Sequence, residues 1–351
     1  MNQPQMTRIA IGVAFAIVII AVVVRALGPN KVDTTGIGDA FVNLAPVASK
    51  VNRIEVDSGT GLSTAQRTDG AWTVTTREGF PAEEEALQGL VRSLIALKKS
   101  QRMTAMPERH AELGLAWPDP KNETRLVRIY AEGSDAPATE VLVGRSVTSP
   151  PGVFVRTPND NQAWRCTGTI PPQQLPAAWL DSPISEIAAD DLKSVECLGA
   201  VMTKENGQWQ CKLPDGSTHP RDSAMRSTLP YLLSGFAPDD VRKETDADLA
   251  HEGQVVAAIR LDDQHTVEAR IWMEGDDIWL RFAPGECGES VISEKLAQYS
   301  PRWQGWVFKV PSWKAGQYKG LFEDAAPEAA HDGAATDHAP PMAPPFPAPA
   351  P

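Results

Sequence analysis

Asp69-Gly70-Ala71-Trp72-Thr73-Val74 reads as a tight turn running straight into a strand. Asp-Gly supplies two consecutive residues that tolerate positive φ, which the turns matching the twist of paired strands require. Trp72 and Val74 alternate with Thr73 and Thr75, so one face of that strand is apolar. Residues 62–67 supply the partner strand, and Arg53-Ile54-Glu55-Val56, beyond the Ser58-Gly59-Thr60-Gly61 turn, supply a third. On the other side, Leu87, Leu90, Val91, Leu94 and Ile95 recur at helical spacing. Pro81 is placed in the first turn of that helix, Glu83, Glu84 and Glu85 at its positive end, and Lys98 and Lys99 at its C-terminal end. A short helix over 107–113, stopped by Gly114, and strands at 126–130, 140–143, 153–156 and 162–165 complete the unit. Strands meandering against a helix on one face predict an α+β fold.

The phrase returns as Asn206-Gly207-Gln208-Trp209-Gln210-Cys211, with 209 − 72 = 137. His219-Pro220 follows it as Phe80-Pro81 follows the first, and Leu229 and Leu233 answer Leu90 and Leu94, with Pro230 interrupting the helix. Strands are expected at 195–197, 201–203, 255–261, 266–273 and 278–282, and Trp306 is paired with Trp179, with 306 − 179 = 127. Two related lobes of antiparallel strands with packed helices follow, over 51–190 and 191–322.

Upstream lies IAIGVAFAIVIIAVVV, residues 9–24, without a charge; Arg25, Ala26 and Leu27 extend it to about 19 positions. At about 1.5 Å per residue this is long enough to cross a hydrocarbon core, so residues 9–27 are expected to anchor the chain in a lipid bilayer. A cleaved signal peptide is the rival, but the run is long and Pro29 would follow the cut. The division is a transmembrane anchor over 1–28, a linker over 29–50, the two lobes, and a disordered Ala/Pro-rich tail over 323–351. Seven of the last twelve residues are Pro, too few apolar groups to offset chain entropy. The short N-terminal flank predicts a single-pass protein of the inner (cytoplasmic) membrane with its bulk in the periplasm.

Composition narrows the partners. In 351 residues, Lys+Arg is 33 and Asp+Glu is 45, giving 33 − 45 = −12. Nucleic acid needs a basic face and is not expected. Cys166, Cys197, Cys211 and Cys287 show no CxxC, and no disulfide among them is assigned. Cys197 and Cys211, on the outer strands of a meander, would lie about 9.6 Å apart, too far for a bond.

Several phrases in order resemble one family. They are Val51-Asn52-Arg53-Ile54, Gly70-Ala71-Trp72-Thr73-Val74, Phe80-Pro81-Ala82, His110-Ala111-Glu112-Leu113-Gly114-Leu115, Val141-Leu142-Val143-Gly144, Gly152-Val153-Phe154-Val155-Arg156 and Trp179-Leu180-Asp181. Together they resemble the family called domain of unknown function 4340, over residues 47–190 and more weakly to 310. The resemblance implies membrane anchoring and, for some members, an auxiliary role beside ABC-type transport systems linked to gliding. It carries no catalytic residues; the Pro-rich tail departs from it.

The chemistry-bearing residues are scattered. His110, His219, His251, His265, His331 and His338 form no HExxH, and His110 is expected to be a surface or half-buried residue. Asp190-Asp191, Asp239-Asp240, Asp262-Asp263 and Asp276-Asp277 sit at turns or helix starts. Of ten tryptophans, most are expected in thin cores, Trp72 and Trp209 foremost. No catalytic, cofactor or metal residue is assigned. The expected function is a non-enzymatic accessory or scaffold, its partner a membrane transport complex; the alternative is a module binding an envelope glycan or other polymer, and hydrolase is a distant third.

Overall fold

The computed structural model describes residues 36–59, 61–118, 124–171, 177–261, 265–285 and 294–323. Among these, no helix is long and apolar enough to cross a membrane. The expected anchor at 9–27, the tail from 324, His331, His338, Asp262-Asp263 and Cys287 lie outside them.

The chain forms an α+β fold of two antiparallel sheets with a few helices. The first sheet contains β1 (Gly38–Asp39), β2 (Val51–Asp57), β3 (Leu62–Thr68), β4 (Ala71–Val74), β5 (Phe80–Pro81), β6 (Lys98–Arg102), β7 (Arg125–Ala131), β8 (Thr139–Thr148), β9 (Pro151–Arg156) and β10 (Trp164–Thr167). Its order is β1-β6-β10-β9-β8-β7-β2-β3-β4-β5. The second contains β11 (Ser194–Cys197), β12 (Ala200–Glu205), β13 (Gln208–Lys212), β14 (Asp240–Lys243), β15 (Val255–Arg260), β16 (Thr266–Glu274), β17 (Asp277–Pro284) and β18 (Trp306–Lys309). Its order is β13-β12-β11-β15-β16-β17-β18-β14. The helices are α1 (Glu84–Ala96), α2 (Asp222–Thr228), α3 (Asp246–Leu249), α4 (Glu294–Trp303) and α5 (Ala315–Lys319), with 3-10 turns between.

Set aside the two-residue edge strands β1 and β5, and the two sheets share one topology. β6-β10-β9-β8-β7-β2-β3-β4 corresponds strand for strand, in chain order, to β14-β18-β17-β16-β15-β11-β12-β13. The deciding hairpins form as their turn residues require: Asp69 and Gly70 have φ of 52° and 87°, Asn206 and Gly207 of 50° and 80°. Trp72 stands opposite Arg67, and Trp209 opposite Lys204. Both indoles are buried, at 7% and 6% exposure.

The strand match revises one correspondence. Trp306 opens β18, opposite Lys243 of β14, just as Trp164 opens β10, opposite Arg102 of β6. Trp306 therefore answers Trp164; Trp179 lies after β10, in the 3-10 turn Ala177–Trp179. The offset of 127 had compared two different elements.

Other expectations shift locally. Pro81 is in β5, paired with Thr73, and α1 begins three residues later. A proline is tolerated on an edge strand because its missing N–H has no ladder bond to make. Lys98 and Lys99 belong to β6, since Leu97 turns extended and ends the helix. Of the expected linker, residues from Gly36 are folded: β1 pairs with β6, and Leu44 is fully buried. Residues 107–113 form a 3-10 helix, stopped by Gly114 at φ 67°.

One apolar core runs through both lobes. Phe80 of the first lobe meets Trp306 edge to face at 4.9 Å between centroids. The connector after Trp179 is hydrogen-bonded to both sides: Asp181 N donates to Pro81 O at 3.0 Å, Ile184 N to Phe236 O at 2.8 Å. Trp303 Nε1 donates to Ile184 O at 2.9 Å, and Arg77 pairs with Asp240. These contacts fix the lobes edge to edge.

Candidate functional site

A groove of about 290 Å³ opens in the first lobe between α1 and the sheet. Its lining follows from two periodicities. Side chains alternate along a strand, so Ile54, Arg67 and Trp72 share the helix-facing side, while Leu87, Val91 and Ile95 recur along one stripe of α1. Ala48 and Ser49, from the 3-10 turn Ala45–Lys50, close one end.

The polar groups sit at the mouth and are engaged with one another. Gln88 Nε2 donates to Glu84 Oε1 at 2.7 Å, and Arg92 Nη1 to Gln88 Oε1 at 3.4 Å. Arg92 also pairs with Glu85, and Arg67 Nε donates to Gly70 O at 3.2 Å. Such a site can take up an apolar side chain and align a polar backbone at its rim.

The residues that sequence reading weighed for chemistry lie elsewhere. His110 is buried, at 2% exposure, with Nε2 donating to Asn161 O at 2.9 Å. It was expected nearer the surface; the 3-10 helix carrying it covers a small second core of Leu113, Leu115, Leu126, Leu142 and Ala163. His219 Nδ1 accepts from Arg221 N at 3.0 Å, and burial, then Arg221, holds its pKa below the ordinary value. His251 Nδ1 donates to Glu252 O at 2.8 Å, and His265 is buried. None of the four lines the groove.

Each described acidic pair has a structural partner. Asp190 meets Lys204, Asp239 Oδ2 accepts from Ser312 N at 2.8 Å, and Asp240 meets Arg77. Across the β16–β17 turn, Asp277 reaches Lys309 at 2.7 Å and Asp276 reaches Lys319 at 3.1 Å. Cys166, Cys197 and Cys211 are free buried thiols; burial pushes Cys166 and Cys197 up to about 12. Among the described residues, no three His, Cys, Asp or Glu side chains gather in an arrangement that could hold a metal ion.

A polar cluster that sequence reading missed lies in the second lobe. Arg242 donates to Asp248 Oδ1 at 2.6 Å and to Glu274 Oε2 at 3.0 Å, and stacks 4.3 Å from the Trp279 ring. Trp272 Nε1 donates to Glu274 Oε1 at 2.9 Å, and Thr245 and Asp248 form a reciprocal cap on α3. Burial would raise the Asp248 carboxyl, but bonds from Thr245 and Arg242 outweigh it and hold it low; Arg242 chiefly does the same for Glu274. The Thr245-x-x-Asp248 cap was the one signal available in sequence. Arg242 and Glu274 are brought to it only by the sheet.

A family model described as Domain of unknown function (DUF4340) matches residues 72–254, more than half of the chain. The chain belongs to this family. The DUF4340 match begins at Trp72, takes in α1 and the connector, and runs through the first part of the second lobe. No curated protein and no solved structure matches the chain. The family description assigns no activity, so the DUF4340 site is read from its own geometry.

Proposed function

We propose that this DUF4340 protein is a single-pass, membrane-anchored, extracytoplasmic accessory or scaffold that serves a membrane transport assembly of the ABC type. The observation supporting a contact role is the lining of the α1 groove: an apolar floor over Trp72, with Glu84, Gln88 and Arg92 of α1 bonded in a row beside it. The titratable groups of the lining, Arg67, Glu84 and Arg92, each have a hydrogen-bonding or ionic partner in the fold. The charge-free run at residues 9–24 supports the anchor.

Two measurements test this reading. A reporter active only outside the cytoplasm, fused after Lys319, should work; activity of a cytoplasm-only reporter there overturns the orientation. A photo-crosslinking residue at Gln88, in the full chain in its own envelope, should trap a transporter subunit identifiable by mass spectrometry. Trapping of glycan instead supports the envelope-polymer alternative and removes the transport reading.

A further inference from the structure

The described body starts at the edge of the first sheet where β1 pairs with β6, and that edge has an unusual composition. Ile37 and Val42 are exposed, at 45% and 63%, and flank the short β1 strand. Lys98 and Lys99 lie on β6 directly opposite Asp39 and Gly38. Lys99 Nζ sits 5.1 Å from the ring of Trp164 on β10, which is only partly covered. Arg165 adds a further cation on β10, its Nη2 donating to Pro150 O at 2.8 Å. The one carboxylate on β1 is Asp39. Exposed aliphatic residues, an indole and cations with long stems are what a membrane–water interface selects.

Two further observations say what covers this edge. The chain carries a net charge of −12, so a basic edge is the exception on its surface and the part that an anionic plane would attract. Residues 28–35, eight positions, separate the apolar run from Gly36. Even fully extended, eight residues span at most about 29 Å. With residues 9–27 in the bilayer, the edge that begins at Gly36 is held within about that distance of it.

We propose that the β1–β6 edge docks on the anionic phospholipid headgroups of the membrane in which the chain is anchored. Ile37 and Val42 enter the interface, and Lys98 and Lys99 meet lipid phosphates. With that edge down, the lobes are laid out away from the bilayer in a fixed attitude. This inference rests on the anchor proposed above and adds the surface, its lipid and the orientation.

The test uses the full chain in nanodiscs of phosphatidylglycerol or of phosphatidylcholine alone, footprinted with a water-soluble amine-acetylating reagent and read by mass spectrometry. Lys98 should be labelled at least about threefold more slowly in phosphatidylglycerol, a difference erased at high salt, because screening shortens the reach of the attraction. Lys212, on β13 at the far end of the second sheet, should be labelled equally in both. In a Lys98→Glu/Lys99→Glu chain, hydroxyl-radical oxidation of Val42 should no longer depend on the lipid. Equal labelling of Lys98 in the two lipids, or parallel slowing of Lys98 and Lys212, overturns the docking. Retention in the discs after an alkaline wash reads the anchor separately. A retained chain without protection removes only the docking, whereas a chain lost on washing removes the anchor as well.

Discussion

The two lobes share a strand order but not the space between sheet and helix. In the first, Arg67 faces Trp72, Ala65 faces Val74, and Ser49 lies in the 3-10 turn before β2. In the second, Lys204 faces Trp209, Met202 faces Cys211, and Asp190 lies in the 3-10 turn before β11, paired with Lys204. Met225 on α2 and Leu87 on α1 are both fully buried, and Leu87 lines the groove. The first lobe also has a 13-residue helix, whereas α2 has seven residues before the 3-10 turn carrying Pro230. At the matched sheet positions Met202 stands in place of the much smaller Ala65, and the second lobe adds the Asp190–Lys204 ion pair. The second lobe has its own pocket of about 370 Å³ in a different place, among Arg281, Pro284, Pro301 and Gly305.

The comparison breaks first at the tryptophans. Trp72→Ala and Trp209→Ala should each cost about 3–5 kcal/mol in urea unfolding, the range for a large aromatic leaving a cavity. A loss under about 1 kcal/mol at either site would mean that its lobe has no core on that face. Next come the helix residues. Met225→Ala should cost about 3 kcal/mol or more, and Leu87→Ala, equally buried but leaving a cavity that opens into the groove, about 2. Equal costs would show the two lobes packed alike.

The polar cluster of the second lobe predicts a pH signature. Asp248 and Glu274 have depressed folded-state pKa values. Their contribution is present above the unfolded values of about 3.9 and 4.3, and is lost as pH falls through the lower folded ones. Stability should therefore fall steeply below about pH 4, and less so in Glu274→Gln. Parallel acid profiles for the two proteins would remove the cluster from the account. The smallest effect is expected from Ser49→Asp, which copies the Asp190–Lys204 pair beside Arg67. It should change stability by no more than about 1 kcal/mol and weaken crosslinking from Gln88 by narrowing the mouth. Undiminished crosslinking would place the contact outside the groove.

Much of this architecture is written in short-range signals. Asp69-Gly70 and Asn206-Gly207 specify tight turns because few residues tolerate two successive positive φ angles. The stripe of Leu87, Leu90, Val91 and Leu94 specifies a helix because apolar groups at that spacing share one face. The α+β class and the two related lobes follow from these repeats, and the charge-free run at 9–24 is likewise read from the chain alone. Tertiary structure decided what depends on residues distant in the chain. Leu198-Gly199 makes a turn of the same kind, φ 49° and 76°, without the usual residue at its first position, because β11 and β12 pair around it. Trp306 answers Trp164 rather than Trp179 because sheet order, not spacing, sets equivalence when one lobe inserts α4 before its last strand. His110 is buried because a second small core forms on the outer face of the first sheet. The groove lies between Ile54, Arg67 and Trp72 of the sheet and Leu87, Val91 and Ile95 of α1, and the volume left across such a gap is a sum over both walls that no single stretch of sequence contains.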